Sequence, residues 1–241
     1  MNFEKIINFI NDNYHHKRIV KFLKKNKISK LIDVGSHKGE FLQCFLKLKK
    51  INTVYAFEPQ IEIFSILNKN LKKYKNVKKY NIALDFKNGN KKIYINKLTS
   101  TSTMKINNKK SFYSKIKKIL LQYNDNQLKN YLVKTSSIDN FFKNIDLTDA
   151  LLKIDVEGFE YNVLLGSKKS IHNIKYILIE KQFFNLHKGY NFNICHKLLL
   201  KNNFILLKKF IFPLMNFEDR LYINNNYKIK KNGKQKIKFI N

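Results

Sequence analysis

Short apolar runs alternate along this chain with stretches whose apolar residues recur every three or four positions. No other feature constrains the fold as strongly. Lys30 to Val34 reads as a strand ending in a turn at Gly35, and Phe41, Cys44, Phe45 and Leu48 then repeat at helical spacing. Thr53 to Phe57 reads as a second strand, Ile61 to Leu71 as a second helix and Val77 to Leu84 as a third strand. These runs read as buried-type apolar strands, as strands covered on both faces do. The first third therefore predicts a parallel sheet flanked by helices, an α/β domain.

The alternation resumes with a strand at Leu151 to Asp155, a helix from Tyr161 to Leu165 closed by Gly166 as C-cap, and a strand at Tyr176 to Glu180. A helix at Ile194 to Leu200 follows, then an antiparallel pair from Phe204 to Phe212 and Arg220 to Ile223. Residues 3–26 have helical spacing. Asn88-Gly89-Asn90 followed by the alternating Lys92 to Asn96 reads as a hairpin edge. Residues 105–128, rich in lysine, read as an insertion or lid with a helix at Phe112, Ile116, Ile119 and Leu120. The chain thus divides into an N-terminal helical extension (1–29), a main domain (30–224) and a basic C-terminal tail (225–241).

Composition narrows the function classes. The chain carries 48 Lys plus Arg against 17 Asp plus Glu, a formal charge of +31. Basic proteins suggest nucleic acid, yet Arg18 and Arg220 are the only arginines, and base and phosphate recognition favours the bidentate guanidinium. Lysine, asparagine and isoleucine dominate, and Ala56, Ala83 and Ala150 are the only alanines, as expected of a drift in genome composition. With 44% hydrophobic residues and 20 phenylalanines the chain is not a disordered one. There is no apolar run of about 18 residues to span a membrane, and no signal peptide is visible at Met1 to Lys5. Cys44 and Cys195 form neither a disulfide framework nor a CxxC metal pair, so a reducing, cytoplasmic compartment is expected.

In this lysine-rich background the acids are informative. Asp33, Glu58, Asp155 and Glu180 each fall at, or one residue past, the carboxyl end of a predicted strand, with Asp85 just after the third strand and Glu157 just after the fourth. Open parallel sheets bind ligands at that edge. Acids also cap the helices that follow such strands, a reading that carries real weight for Glu160 and Asp85. Asp33-Val34-Gly35-Ser36-His37-Lys38-Gly39, with Glu58 at the end of the second strand, fits an adenosine site: the glycines let backbone approach a ligand, and the carboxylate accepts from the ribose hydroxyls. A dinucleotide fingerprint would need a glycine where His37 stands, and Asp33 would repel a pyrophosphate. No phosphate-binding G-x-x-x-x-G-K-[ST] loop occurs. S-adenosylmethionine suits better, because its amino and sulfonium groups are cationic.

Leu152-Lys153-Ile154-Asp155-Val156-Glu157-Gly158-Phe159-Glu160 carries a family resemblance. Together with Asp33-Val34-Gly35, Phe57-Glu58-Pro59, Asn81-Ile82-Ala83-Leu84, Val163-Leu164-Leu165-Gly166 and Asp219-Arg220-Leu221-Tyr222-Ile223, it resembles the FkbM-type methyltransferases over about residues 30–224. The resemblance implies a Rossmann-like seven-stranded fold, S-adenosylmethionine as methyl donor, and O-methylation of hydroxyls on sugars or natural products. Asp33, Gly35, Ser36, His37 and Gly39 would form the cofactor turn, with His37 toward the methionine end. Glu58, with Pro59 beside it, would hold the ribose, and the Ile82-Ala83 backbone would flank the adenine. Ser36-His37-Lys38 departs from the family's commoner Ala-Asn-x in that turn.

Asp155 is the first candidate for general base and Glu157 the second, with Lys153 orienting either carboxylate. Glu180 is a candidate substrate contact, as is His187, which could also serve as an alternative base. The remaining histidines read as ordinary solvated or helix-face residues. Thr99 to Thr103 offers hydroxyls to a glycan or phosphate, or is a plain hairpin tail. No metal ligand set is evident. The expected partner is a small-molecule or glycan hydroxyl acceptor, with peripheral contact to an anionic glycan or membrane surface and no specific nucleic acid. An RNA methyltransferase, a basic nucleic-acid-binding module and an inactive scaffold are the competing readings.

Overall fold

The computed structural model describes residues 10–95, 129–183, 190–213 and 217–229. Its centre is a sheet of seven strands in the order β3-β2-β1-β7-β8-β10-β9. β1 (Lys30–Val34), β2 (Thr53–Phe57), β3 (Val77–Tyr80), β7 (Ala150–Ile154) and β8 (Ile174–Gln182) run parallel, while β10 (Phe217–Asn224) is antiparallel to both β8 and β9 (Phe204–Ile211). This is the expected mostly parallel sheet with an antiparallel C-terminal pair. The chain runs outward from β1 through β2 to β3, then crosses back to place β7 on the other side of β1. The strand ends of β1 and β7 therefore flank a topological switch point.

Helices cover both faces. On one side lie α1 (His16–Leu23), entered through a π-helical turn at Asn11–His15, α2 (Glu40–Leu48) and α3 (Ile61–Asn70); Ile19, Leu23, Phe41, Phe45 and Leu67 pack on Leu31, Val54, Leu151, Leu178 and Leu221. On the other, α4 (Ile138–Phe141), α5 (Glu160–Leu165) and α6 (Phe192–Lys201) help to cover Ile32, Tyr55, Leu152, Ile177 and Tyr222. Alternate residues of each strand thus enter different cores. A last helix, α7 (Asn225–Ile229), occupies the start of the segment expected as a tail.

Two expectations need correction. The third strand does not run from Val77 to Leu84. It stops at Tyr80, and β4 (Ala83–Leu84) joins a second sheet of order β4-β6-β5. The Asn81 side chain causes the break: its amide donates to the carbonyls of Glu58 at 2.9 Å and Pro59 at 3.0 Å, which ties the chain to the loop after β2. The expected hairpin edge is instead β5 (Gly89–Ile95), paired antiparallel with the distant β6 (Lys129–Ser136), a strand missing from the sequence reading. Gly166 is the C-cap of α5, as expected, in a right-handed conformation. A Cβ there would lie 2.1 Å from the Asp85 carbonyl oxygen, so close packing rather than φ requires the glycine. The candidate insertion 105–128 and Thr99 to Thr103 lie outside the described residues.

Candidate active site

The strand period builds the site. Asp33 stands two residues beyond Leu31, Lys153 beyond Leu151, Glu180 beyond Leu178 and Asp219 two before Leu221. The core leucines and the polar residues therefore share the α1–α2 face, with the polar row at the carboxyl edge. Asp33 is directly opposite Lys153 across the β1–β7 pair, and Glu180 is opposite Asp219 across β8–β10. Lys153 Nζ lies 3.1 Å from Asp155 Oδ2 and 3.4 Å from Asp33 Oδ1, with the Phe41 ring beneath it. Flanking carboxylates hold its ammonium above the ordinary lysine range despite burial. Asp155 is raised as well, toward its neutral form. Burial raises it and Glu157 adds to the rise, against the pull of Lys153.

Beside Asp155 the chain bends sharply, with Glu157 at φ 50° and Gly158 at φ 91°. The bend returns the Gly158 N–H to Glu160 Oε1 at 2.8 Å. Burial raises Glu160 to about 7, and Glu180 is raised well above its ordinary value by burial and by Asp155 and Glu157 nearby. Gln182, two residues past Glu180, donates its Nε2 to Glu157 at 2.6 Å and to Glu180 at 3.4 Å. The sequence reading passed over Gln182, although strand period alone puts it on the same face as Glu180.

The turn after β1 is held by its backbone. Gly35 and Ser36 N–H groups both donate to the Phe57 carbonyl at 3.0 Å, and Ser36 Oγ donates to the Asp33 carbonyl at 2.9 Å. Gly35 has φ 83°, and a Cβ would sit 1.9 Å from the Asp155 carbonyl oxygen, so only glycine lets β7 close on this turn. His37 (φ 48°) donates its backbone N–H to Glu58 Oε2 at 3.0 Å, and its ring pairs with Glu40 at 2.9 Å. Gly39, in the left-handed conformation, opens α2. Glu58, buried just past β2 and raised to about 7 by that burial, also accepts from the Gln60 N–H at 2.9 Å. Pro59 follows it, with its carbonyl held by Asn81, whereas Ala83 lies in β4 opposite Thr135 in the small sheet.

The expected residues thus separate into a β1–β7 group (Asp33, Lys153, Asp155, with Glu157 and Glu180) and a β1–β2 group (Gly35 to Gly39 and Glu58). His187 lies outside the described residues.

The histidine pair His15-His16 does not fit the expectation of solvated side chains. His15 is wholly buried, its Nε2 2.7 Å from Asp219 Oδ2 and its ring edge-on to Phe212 and Phe217. His16 packs edge-on to Phe41, and burial together with the nearby Lys153 lowers it to about 3. The N-terminal segment thus reaches over the polar row. Two adjacent histidines at the start of a helix gave no such signal in the sequence.

Both carboxylate oxygens of Asp33 are buried and accept no hydrogen bond. A buried carboxylate short of donors fits a cationic ligand, and the side-chain-free turn at Gly35 gives that ligand backbone to approach. Among the described residues no His, Cys, Asp and Glu cluster is arranged to hold a metal.

A doubly wound sheet with a glycine turn after β1, an acid after β2 and an acid–lysine pair at the switch point defines the S-adenosylmethionine-dependent methyltransferase class. The family model described as "Methyltransferase FkbM domain" matches residues 33–206, and the chain belongs to that family. The structure of methyltransferase FkbM from Methylobacillus flagellatus KT superposes with a TM-score of 0.53 at 15% identity over 82% of this chain. The chain spans 44% of that protein. TrmK from M. capricolum, crystallised with the cofactor product S-adenosylhomocysteine, superposes with a TM-score of 0.51 at 12% identity, over 88% of this chain and 68% of that one. At such identities the likeness is one of fold. No curated protein sequence matches. His15 and Asp219 both lie outside the segment that the family model matches.

Proposed function

We propose that the chain transfers the methyl group of S-adenosylmethionine to a hydroxyl of a sugar or glycan, with Asp155 as the general base. The observation that carries this reading is Lys153, one buried ammonium held between Asp33 and Asp155 at the switch point. The lysine fixes one carboxylate on the cofactor side and one on the acceptor side.

The bound cofactor supplies an electrophilic methyl carbon on a positively charged sulfur. Asp33 would hold its cationic end, the Gly35–Gly39 turn would offer it backbone, and Glu58 would accept from the ribose hydroxyls. Alignment of the acceptor against that carbon is the larger contribution of the chain. Asp155 would take the acceptor hydroxyl's proton as that oxygen gains the methyl group and the sulfur–methyl bond breaks. Burial brings its carboxyl closer to neutrality, which makes it the better base. Glu157, tied to Gln182, is the second candidate, and Glu180 contacts the acceptor.

Methyl transfer from radiolabelled S-adenosylmethionine to parallel glycan and RNA panels tests the substrate class. Label on sugar oxygen is the expected result, and label on RNA but on no sugar overturns the reading. Asp155→Asn should lower turnover by about 10²–10⁴-fold while cofactor binding persists. Unchanged turnover in that variant would remove Asp155 from the base role.

A further inference from the structure

The segment before β1 precedes the residues that the family model matches, yet it packs on the cofactor side of the site. His16 lies edge-on to Phe41, with ring centres 5.4 Å apart, and Lys153 Nζ stands 5.2 Å from the centre of the same ring. Lys153 in turn reaches Asp33 Oδ1 at 3.4 Å. Asp12 Oδ1 is 3.5 Å from His16 Nδ1. Asp12 is raised to about 6 by burial and by Glu40, with His37 opposing, so the start of the segment lies against the turn where His37 and Glu40 pair at 2.9 Å.

Polar atoms along this contact are short of partners. His16 is 8% exposed, yet its Nδ1 makes no hydrogen bond, the approach to Asp12 included. Asn11 Oδ1 and both carboxylate oxygens of Asp33 are likewise buried without a hydrogen bond. The π-helical turn stacks Asn11 and His16, since the His16 N–H donates to the Asn11 carbonyl. Burial and Lys153 lower His16 to about 3, so its ring is neutral and, with the proton on Nε2, its Nδ1 is an acceptor. The unfilled capacity is then acceptor throughout, and buried acceptors are normally satisfied.

We propose that His16 and Asn11 are cofactor-binding residues, which together with Asp33 receive the α-ammonium of S-adenosylmethionine. The N-terminal helix is then a wall of the cofactor site. An ammonium carries three donors and no acceptor, which matches His16 Nδ1, Asn11 Oδ1 and the Asp33 carboxylate. Asp33 keeps capacity for it, because Lys153 is shared with Asp155. The inference rests on the cofactor and is independent of the acceptor. It also divides the histidine pair: His15 addresses Asp219 and His16 the cofactor.

The test is titration calorimetry on the full chain with three ligands: S-adenosylhomocysteine, its analogue with hydrogen in place of the α-amino group, and 5′-methylthioadenosine. The native chain should bind S-adenosylhomocysteine at least about tenfold more tightly than the deaminated analogue. His16→Phe, which keeps a ring against Phe41, and Asn11→Ala should each remove most of that difference and leave the affinities for the other two ligands unchanged. Asn11→Asp, which keeps an acceptor, should restore it. Equal losses for all three ligands would mean a structural role and overturn the proposal, as would unchanged affinity in both variants. A measurement on the native chain needs no variant to fold. With ¹⁵N-labelled histidine, S-adenosylhomocysteine should shift the Nδ1 resonance of His16 and the deaminated analogue should not; identical spectra overturn the proposal. Equal affinity for both ligands removes the ammonium site and leaves the cofactor standing, whereas binding of none of the three removes both.

Discussion

Gly35 shows how much one missing side chain decides. Its φ of 83° and the 1.9 Å approach of the Asp155 carbonyl to a Cβ there act together. Gly35→Ala should destabilise the fold by about 2–4 kcal/mol from left-handed strain and overpacking. It should also weaken S-adenosylhomocysteine binding, and thermal unfolding with ligand titration checks both effects. Glu160 gives a pH signature. Its carboxyl is raised from 4.5 to about 7 in the fold, so its contribution to stability is full below the unfolded value and is lost as pH rises through about 7. Relative to Glu160→Gln, the native chain should lose up to a few kcal/mol between about pH 4.5 and 7. Denaturant melts of both proteins across that range measure the difference, and parallel curves would rule the effect out. At this scale Asp33, Gly35, Glu58 and Asp155 were legible in the sequence, because an acid or glycine at a strand end needs only its own strand to be placed. His15 was not, since its role comes from a partner 204 positions along the chain, whereas Gln182 could have been placed by strand period.

Among the elements, the N-terminal helix changes most in meaning. The spacing of its apolar residues predicts an amphipathic helix and nothing about the site, yet it delivers His15 to Asp219 at 2.7 Å. His15→Ala leaves a buried carboxylate without its partner and should cost about 1–3 kcal/mol. It should also raise acceptor KM more than cofactor Kd, because Asp219 faces Glu180 rather than the glycine turn. His15→Gln, which keeps a donor toward Asp219, should recover most of the loss in steady-state kinetics. Strand β6 and the break at Asn81 were hidden for a related reason. A strand whose apolar residues are limited to Tyr131, Leu132 and Val133 has little apolar signal of its own, and the break depends on where Asn81 finds the carbonyls of Glu58 and Pro59.

Over the whole molecule, the charge of +31 and the acidic row are complementary. The lysines set a long-range field that salt screens, and the acids act within a few ångströms. Homopolymer RNA should therefore bind weakly, without sequence preference, and lose its affinity steeply between about 50 and 200 mM salt, while methyl transfer changes much less. Filter binding beside the methyl-transfer assay at each salt concentration checks this. Salt-resistant, sequence-selective RNA binding would contradict it. No helix among the described residues is long and apolar enough to cross a membrane.

The sequence by itself determined the parallel sheet, the glycine turn and the acids along one edge, because strand and helix periods and the residues that end them are local properties. The tertiary structure alone decided which acids meet. Crossing from β3 back to β7 sets Lys153 against Asp33, and antiparallel β10 brings Asp219 opposite Glu180. Contacts between residues far apart along the chain depend on strand order, which no local pattern encodes.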